Sequence, residues 1–399
     1  MANNKEKKVL NVPNSTDRGN VIRNVPHLRF PEFTDEWKKE QLGDIADFSK
    51  GAGISKEQLS EKGEPCILYG ELYTKYKSEV IYDIISKTDI DSTKSVRSQA
   101  NDVIIPSSGE TAEDIATARC VLKNNILLGG DLNIIRLHKH SGSFMSYQLN
   151  GKRKYDIAKV AQGVSVVHLY AEHLKGVNTY NPCMEEQEKI ARLLSLLDER
   201  IATQNKIIED LKKLKSAISK KLLCNDKWTT YKIQNIAEIG RGRVISSVEI
   251  ERQKHPLYPV YSSQTSNDGV MGYLDGYMFD GEYITWTTDG ANAGTVFYRK
   301  GKFNCTNVCG TLKIQPNFDC YFVSLVLQQA TQKYVSSNLA NPKLMNNTMA
   351  SIKISMPNIE AQRQLSKMFQ TLDSCLSVHK RTYKMYLKEK QYLLRQMFI

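Results

Sequence analysis

The sequence predicts a mixed α/β chain built as a duplicated unit, in which each of two heads is followed by a long helix and the two helices pair antiparallel as a coiled coil. Three observations within the 399 residues carry this reading. Residues 185–223 form one uninterrupted amphipathic run. Residues 357–398 repeat that run at an offset of 175, and residues 228–242 repeat residues 37–51 at an offset of 191.

In chain order, residues 1–26 are polar, rich in Asn, Lys and Arg, and read as a disordered tail. The first head takes residues 27–182, with Trp37 as its first large core candidate. Runs rich in β-branched and aromatic residues predict strands over 66–69, 103–105 and 132–137, and a helix is expected over 143–154. The central helix takes residues 183–226. Its apolar residues, among them Ile190, Leu194, Leu197, Ile201, Ile208, Leu214, Ile218 and Leu222, recur at three-and-four spacing, which places them on one stripe. No Pro or Gly follows Pro182 within the run, which at 1.5 Å per residue spans roughly 55–60 Å. The second head takes residues 227–356, with strands expected over 258–261, 283–286, 295–298 and 310–314 and a helix over 321–336.

The last helix takes residues 357–399. Its stripe overlays the first without a gap: Ile190 falls on Leu365, Leu194 on Phe369, Leu197 on Leu372 and Ile201 on Leu376. Asp198 falls on Asp373, and the polar break at Gln204 falls on His379. The offset drops from 191 to 175 across the unit, so the second head is 16 residues shorter while the helices keep register. The helices are therefore the fixed frame and the heads the variable parts. With a domain-sized segment between matching helices, an antiparallel pair with one head at each end is the expected geometry.

Composition narrows the function. Lys and Arg number 55 against 43 Asp and Glu, a net charge of +12, which favours a polyanion or an acidic partner. The eight cysteines form no CxxC pair, and Cys305 and Cys309 lack the ligands to complete a zinc pattern, so reduced, buried thiols in a cytoplasmic protein are expected. No signal peptide and no apolar run of membrane-spanning length occurs.

Catalytic signatures are missing too. There is no GxxxxGKS phosphate loop and no GxGxxG after a strand. Asn181-Pro182-Cys183-Met184 and Asn341-Pro342-Lys343-Leu344 lack the second Pro and the stacking aromatic of the methyltransferase motif that holds a flipped base. His168 and His173 have no third ligand, and the acidic residues form no triplet suited to a two-metal nuclease.

What remains is binding chemistry, because Arg, Lys, Asn, Gln, Ser and Thr are the side chains that reach phosphates and base edges. The first head offers Lys50, Lys56, Lys75, Lys94, Arg97, Ser107, Ser108 and Arg119. The second offers Arg241, Arg243, Ser263, Gln264, Thr265, Thr288, Asn292, Arg299 and Lys343. Each alone is explained by a solvated surface; the argument is the set, repeated in two heads.

With these residues in view, the chain from about Val25 to Ile399 resembles the DNA-specificity subunit of type I restriction–modification enzymes. The resemblance is carried by the lead-in Leu28-Arg29-Phe30-Pro31-Glu32-Phe33-Thr34-Asp35-Glu36-Trp37, by the helix start over 182–197 with its repeat over 357–372, and by Tyr258-Pro259-Val260-Tyr261-Ser262-Ser263-Gln264-Thr265 and Asp289-Gly290-Ala291-Asn292-Ala293-Gly294. It implies that the heads are target recognition domains, each reading one half of a split site on double-stranded DNA. It implies that the paired helices set the spacing between halves and dock two modification subunits, which bind S-adenosylmethionine and methylate adenine. Restriction subunits would add ATP-driven translocation and cleavage. The chain itself would hold no cofactor, no metal and no catalytic residue, and would not associate with a membrane. The competing readings are a stand-alone methyltransferase or nuclease, which a cofactor or metal motif would mark, and a coiled-coil scaffold that does not bind DNA.

Overall fold

The computed structural model describes residues 24–90, 95–163, 166–223, 227–336 and 341–399. The tail expected over 1–26 lies outside them up to residue 23, as does Lys94. The chain divides into two compact units, Met1–Asn205 with Arg381–Ile399, and Lys206–Lys380.

In the first unit, Lys38–Gln41 pairs antiparallel with Asn178–Asn181 and brings the two ends of the head together. The main sheet runs Ala46–Lys50, Leu132–Leu137, Asp102–Pro106, Arg119–Val121, Val80–Ile81. Ile104, Ile134 and Leu132 face one apolar cluster, while Val103, Ile105 and Ile135 face another, as the alternation of a strand buried on both faces requires. The helix expected over 143–154 is Gly142–Asn150, capped by the Ser141 hydroxyl, which accepts from Phe144 N–H at 3.3 Å. It stops because Gly151 follows, and a second short helix resumes at Lys154–Val160.

The second unit repeats this plan. Thr229–Lys232 pairs with Lys353–Met356. The main sheet runs Ala237–Arg241, Cys309–Ile314, Glu282–Thr287, Val296–Lys300. A smaller sheet joins Val270–Leu274, Tyr258–Tyr261 and Asn304–Cys305. The expected helix over 321–336 is Cys320–Ala330. It tightens to a 3-10 turn at Thr331–Tyr334, where the Thr331 hydroxyl donates to Gly294 O at 2.7 Å.

The long helices are Met184–Leu222 and Ile359–Gln396. In the first unit, Ile190, Leu194 and Leu197 pack with Leu393, Met397 and Phe398. In the second, Ile218 packs in one cluster with Leu365, Phe369 and Leu372. Early residues of one helix meet late residues of the other in both units, so the pair is antiparallel. The stripe is more than a seam between helices, however. Trp37, Phe144 and Tyr147 of the first head share its first cluster, and Trp228, Phe322 and Leu327 of the second head share the other. Leu376 is buried and Ile201 half-buried. Leu214 and Leu222, placed on the stripe by spacing, are instead exposed; a helix of 3.6 residues per turn drifts off a strict heptad over this length.

Matched polar contacts tie each head to its helix. Gln187 accepts from Ser141 N–H at 3.0 Å and donates to Pro182 O at 2.9 Å. Gln362, at the same place in the repeat, accepts from Asp319 N–H at 3.0 Å and donates to Pro357 O at 2.8 Å. Tyr147 donates to Asp198 at 2.7 Å, and Tyr321 donates to Asp373 at 2.5 Å. Lys390 and Lys215, themselves 175 residues apart, pair with Asp198 and Asp373 respectively. The lead-in of the resemblance has a physical basis as well: Arg29 forks onto buried Glu186 through two hydrogen bonds of 2.7 Å.

Candidate nucleic-acid interface

In the second head, three loops converge at one end of the main sheet. Asn292 donates to Ser263 O at 3.3 Å, Gly290 N–H to Pro342 O at 3.0 Å, and Leu344 N–H to Thr288 O at 2.8 Å. Lys343 bridges to both Asp289 and Ser336. Arg241 closes the surface at the end of its strand, with Nη2 at 3.8 Å from Met345 Sδ. Arg241, Ser263, Gln264, Thr265, Asn292 and Lys343 therefore share one exposed or half-exposed face. Asn267 and Asp268, both in left-handed backbone, and Gly269 at φ +84° make the tight turn beside it. Gln264 spans that turn, donating to Val270 O at 2.5 Å. Arg243 is committed elsewhere, to Glu249 and to Val244 O at 3.0 Å.

Two residues of the expected set are corrected. Arg299 is buried, 3.5 Å from the Tyr261 ring centroid and 4.4 Å from that of Phe297, and donates to Asp268 O at 2.8 Å and Thr285 Oγ1 at 3.2 Å. Burial lowers its pKa. It supports the 267–269 turn, and its guanidinium is taken up by these buried contacts. Thr288 is fully buried and donates to Val308 O at 3.0 Å. Its N–H also donates to Val308 O at 3.0 Å and its carbonyl accepts from Leu344 N–H at 2.8 Å, so its polar groups are taken up within the fold.

The first head gives a looser arrangement. A cavity of about 890 Å³ is lined by Lys56, Lys75, Ser55, Tyr69, Gly53 and Asp131, among others. Lys50, at the end of the strand leading to Gly51, is exposed. A side chain on Gly51 would meet Gly129 O at 1.9 Å, so this glycine serves close backbone packing. Arg97 is held bidentate by Glu64 at 2.7 and 3.0 Å. Ser108 is half-buried, in a short strand paired with His168. Ser107 and Arg119 are corrected: both are buried. The Ser107 backbone joins Asp131 and Leu169. Arg119 donates to the carbonyls of Leu72 at 3.1 Å and Tyr76 at 3.0 Å, fastening a helix end with the guanidinium that the sequence offered to a phosphate. Sequence reading also passed over Asn341 and Met345, both exposed on the second-head face. Asn341-Pro342 is a turn dipeptide, the sequence signal of a surface loop at this point.

Among the described residues, no group of His, Cys, Asp and Glu could hold a metal, and no helix is long and apolar enough to cross a membrane. His168, His173 and Tyr170 stack or meet edge-on as packing groups.

The family model described as the type I restriction modification DNA specificity domain matches this chain twice, over residues 34–213 and 225–385. The chain belongs to the type I restriction–modification DNA-specificity family. A putative type I specificity subunit of Mycoplasma pneumoniae is 39% identical over 188 residues, 46% of this chain and 78% of the relative. The specificity subunit of the M. pneumoniae type I restriction enzyme MpnII is 43% identical over 143 residues, 36% of this chain and 43% of the relative. The crystal structure of the S subunit from M. genitalium superposes with a TM-score of 0.70 at 18% identity, covering 94% of this chain and 99% of that one, a likeness of fold. Within this family the chain is the recognition subunit of a type I complex, and catalysis belongs to other subunits. The two family matches fall on the two heads with their helices, so recognition here is duplicated in one polypeptide.

Proposed function

We propose that each head reads one half of a bipartite site on double-stranded DNA, that the helix pair sets the spacer, and that two modification subunits methylate adenine at the site so marked. S-adenosylmethionine would sit on those partners, and ATP on restriction subunits that join them, all in the cytoplasm. The observation that carries this is the double family match, with a polar, loop-built face on the second head and a lysine-lined cavity in the first. On the second head, Arg241, Gln264, Asn292 and Lys343 would touch DNA. On the first, Lys50 and Lys56 are free to do so, while Arg97 would have to leave Glu64. The stripe residues Ile190, Leu194, Leu197, Ile201, Leu365, Phe369, Leu372 and Leu376 hold the helix pair and its heads, leaving the outward helix faces for partner subunits.

The test is the methylated-adenine map of the source genome with and without this gene. One bipartite motif should vanish with the gene. An unchanged map, together with no preference of the assembled complex for bipartite over random DNA in a gel shift, would refute the reading.

A further inference from the structure

The two units repeat each other closely enough for a gap in one to be read from the other. In the first unit, Val80–Ile81 is the outermost strand of the main sheet, parallel to Arg119–Val121. The Glu79 carbonyl accepts from Cys120 N–H at 2.8 Å. Its carboxylate turns onto Lys390, which also holds Asp198 at 2.6 Å, and Ser78 donates to Asp198 at 2.9 Å. Glu79 and Asp198 are both buried.

The second unit keeps the helix half of this arrangement, Asp373 with Lys215, but its sheet ends at Val296–Lys300. Ile284 pairs with Leu312 as Val103 pairs with Ile135, and its other neighbour is Tyr298 where that of Val103 is Cys120. Tyr298 therefore occupies the place at which Cys120 receives the outer strand. Among the described residues no strand pairs on that edge; Gln328 donates to Val296 O at 3.3 Å. Between the edge and the second long helix is a cavity of about 410 Å³, bounded by Tyr298, Lys300, Tyr321, Gln370 and Asp373. A second concavity of about 690 Å³, also bounded by Asp373, is lined by Lys212, Lys215, Lys220 and Lys380, of which Lys215 pairs with Asp373 and Lys212 with Glu209.

We propose that this open edge is a docking site for an extended acidic segment of a partner protein, which adds as a parallel strand to Val296–Lys300 and sets a carboxylate against Lys215. Strand addition takes affinity from main-chain hydrogen bonds and specificity from side-chain pockets. An unpaired edge supplies the first, and the lysine-lined slot supplies the second. A nucleic-acid phosphate would suit the lysines but has no amide to pair with the strand. The inference goes beyond the DNA reading and does not depend on it.

A fluorescent peptide copying residues 76–84, Tyr-Lys-Ser-Glu-Val-Ile-Tyr-Asp-Ile, supplies the missing strand in trans. Titrated with the full chain, it should bind saturably at one site. A peptide with Gln at the position of Glu79, and one with the amide of Ile81 methylated, should each bind at least about tenfold more weakly. These changes leave the folded chain untouched. Lys215→Ala in the chain should weaken the parent peptide similarly, with thermal unfolding confirming that the variant folds. No saturable binding, or equal binding of all three peptides, would overturn the proposal. So would loss of DNA affinity in Lys215→Ala without peptide binding, which would give the slot to phosphate.

Discussion

Arg299 and Gln264 both bond to the turn at 268–270, but one is buried and the other half-exposed, and substitution separates them. Arg299→Ala would leave two aromatic faces and the Asp268 carbonyl without their cation. We expect a loss of about 2–4 kcal/mol in stability, read as a fall in the unfolding midpoint. Gln264→Ala or Asn292→Ala should unfold near the parent temperature and relax one base position of the methylated motif by about 1–3 kcal/mol. If all the exposed variants leave motif and affinity unchanged, the second reading face is misplaced.

His140 gives a pH dependence. Burial lowers its pKa from the usual value near 6.5, against the opposing pull of Glu40 at 3.7 Å and of the hydrogen bond with Gln187 at 3.0 Å. A depressed folded pKa means stability that is present above about 6.5 and lost as the pH falls through the folded value. Thermal unfolding followed from pH 7.5 down to 5 should show a steeper loss for the parent than for His140→Gln.

At the scale of elements, the long helices were the most legible part of the sequence, because a stripe maintained over so many turns has no other explanation. The strands were legible from their β-branched runs. Burial of single polar residues was not. Arg119 and Arg241 look alike in sequence, and only the packing of residues 72–76 against the sheet decides that one faces inward. The drift of Leu214 and Leu222 off the stripe follows from 3.6 residues per turn against a strict spacing of three and four. The helices also invite a test of the ruler. Inserting four residues after Ile208 adds about 6 Å and close to one turn, so the stripe keeps its face. The methylated motif should gain about 1–2 base pairs of spacer with both half-sites unchanged. Inserting two residues turns the following stripe by about 200° and should abolish assembly. A four-residue variant that methylates at the original spacing would refute the ruler.

At the scale of the whole molecule, two DNA-reading heads on one basic chain imply strong salt dependence. Each phosphate neutralised releases counterions, so affinity should fall steeply between 50 and 200 mM salt, by about one logarithmic unit per logarithmic unit of salt for each contact. Substituting Lys50 or Lys56, proposed above to meet DNA, should lower that slope by about one and weaken all sequences alike.

The first unit needs Arg381–Ile399, whereas the second is the unbroken stretch Lys206–Lys380. During synthesis, therefore, the first head leaves the ribosome with Trp37 and Phe144 lacking the cover that Met397 and Phe398 later provide. That cover is translated only after the entire second unit. A chain truncated after residue 380 and released should yield a protease-resistant second unit beside a protease-sensitive, chaperone-binding first head. The half of the protein that is made first is thus the half that matures last.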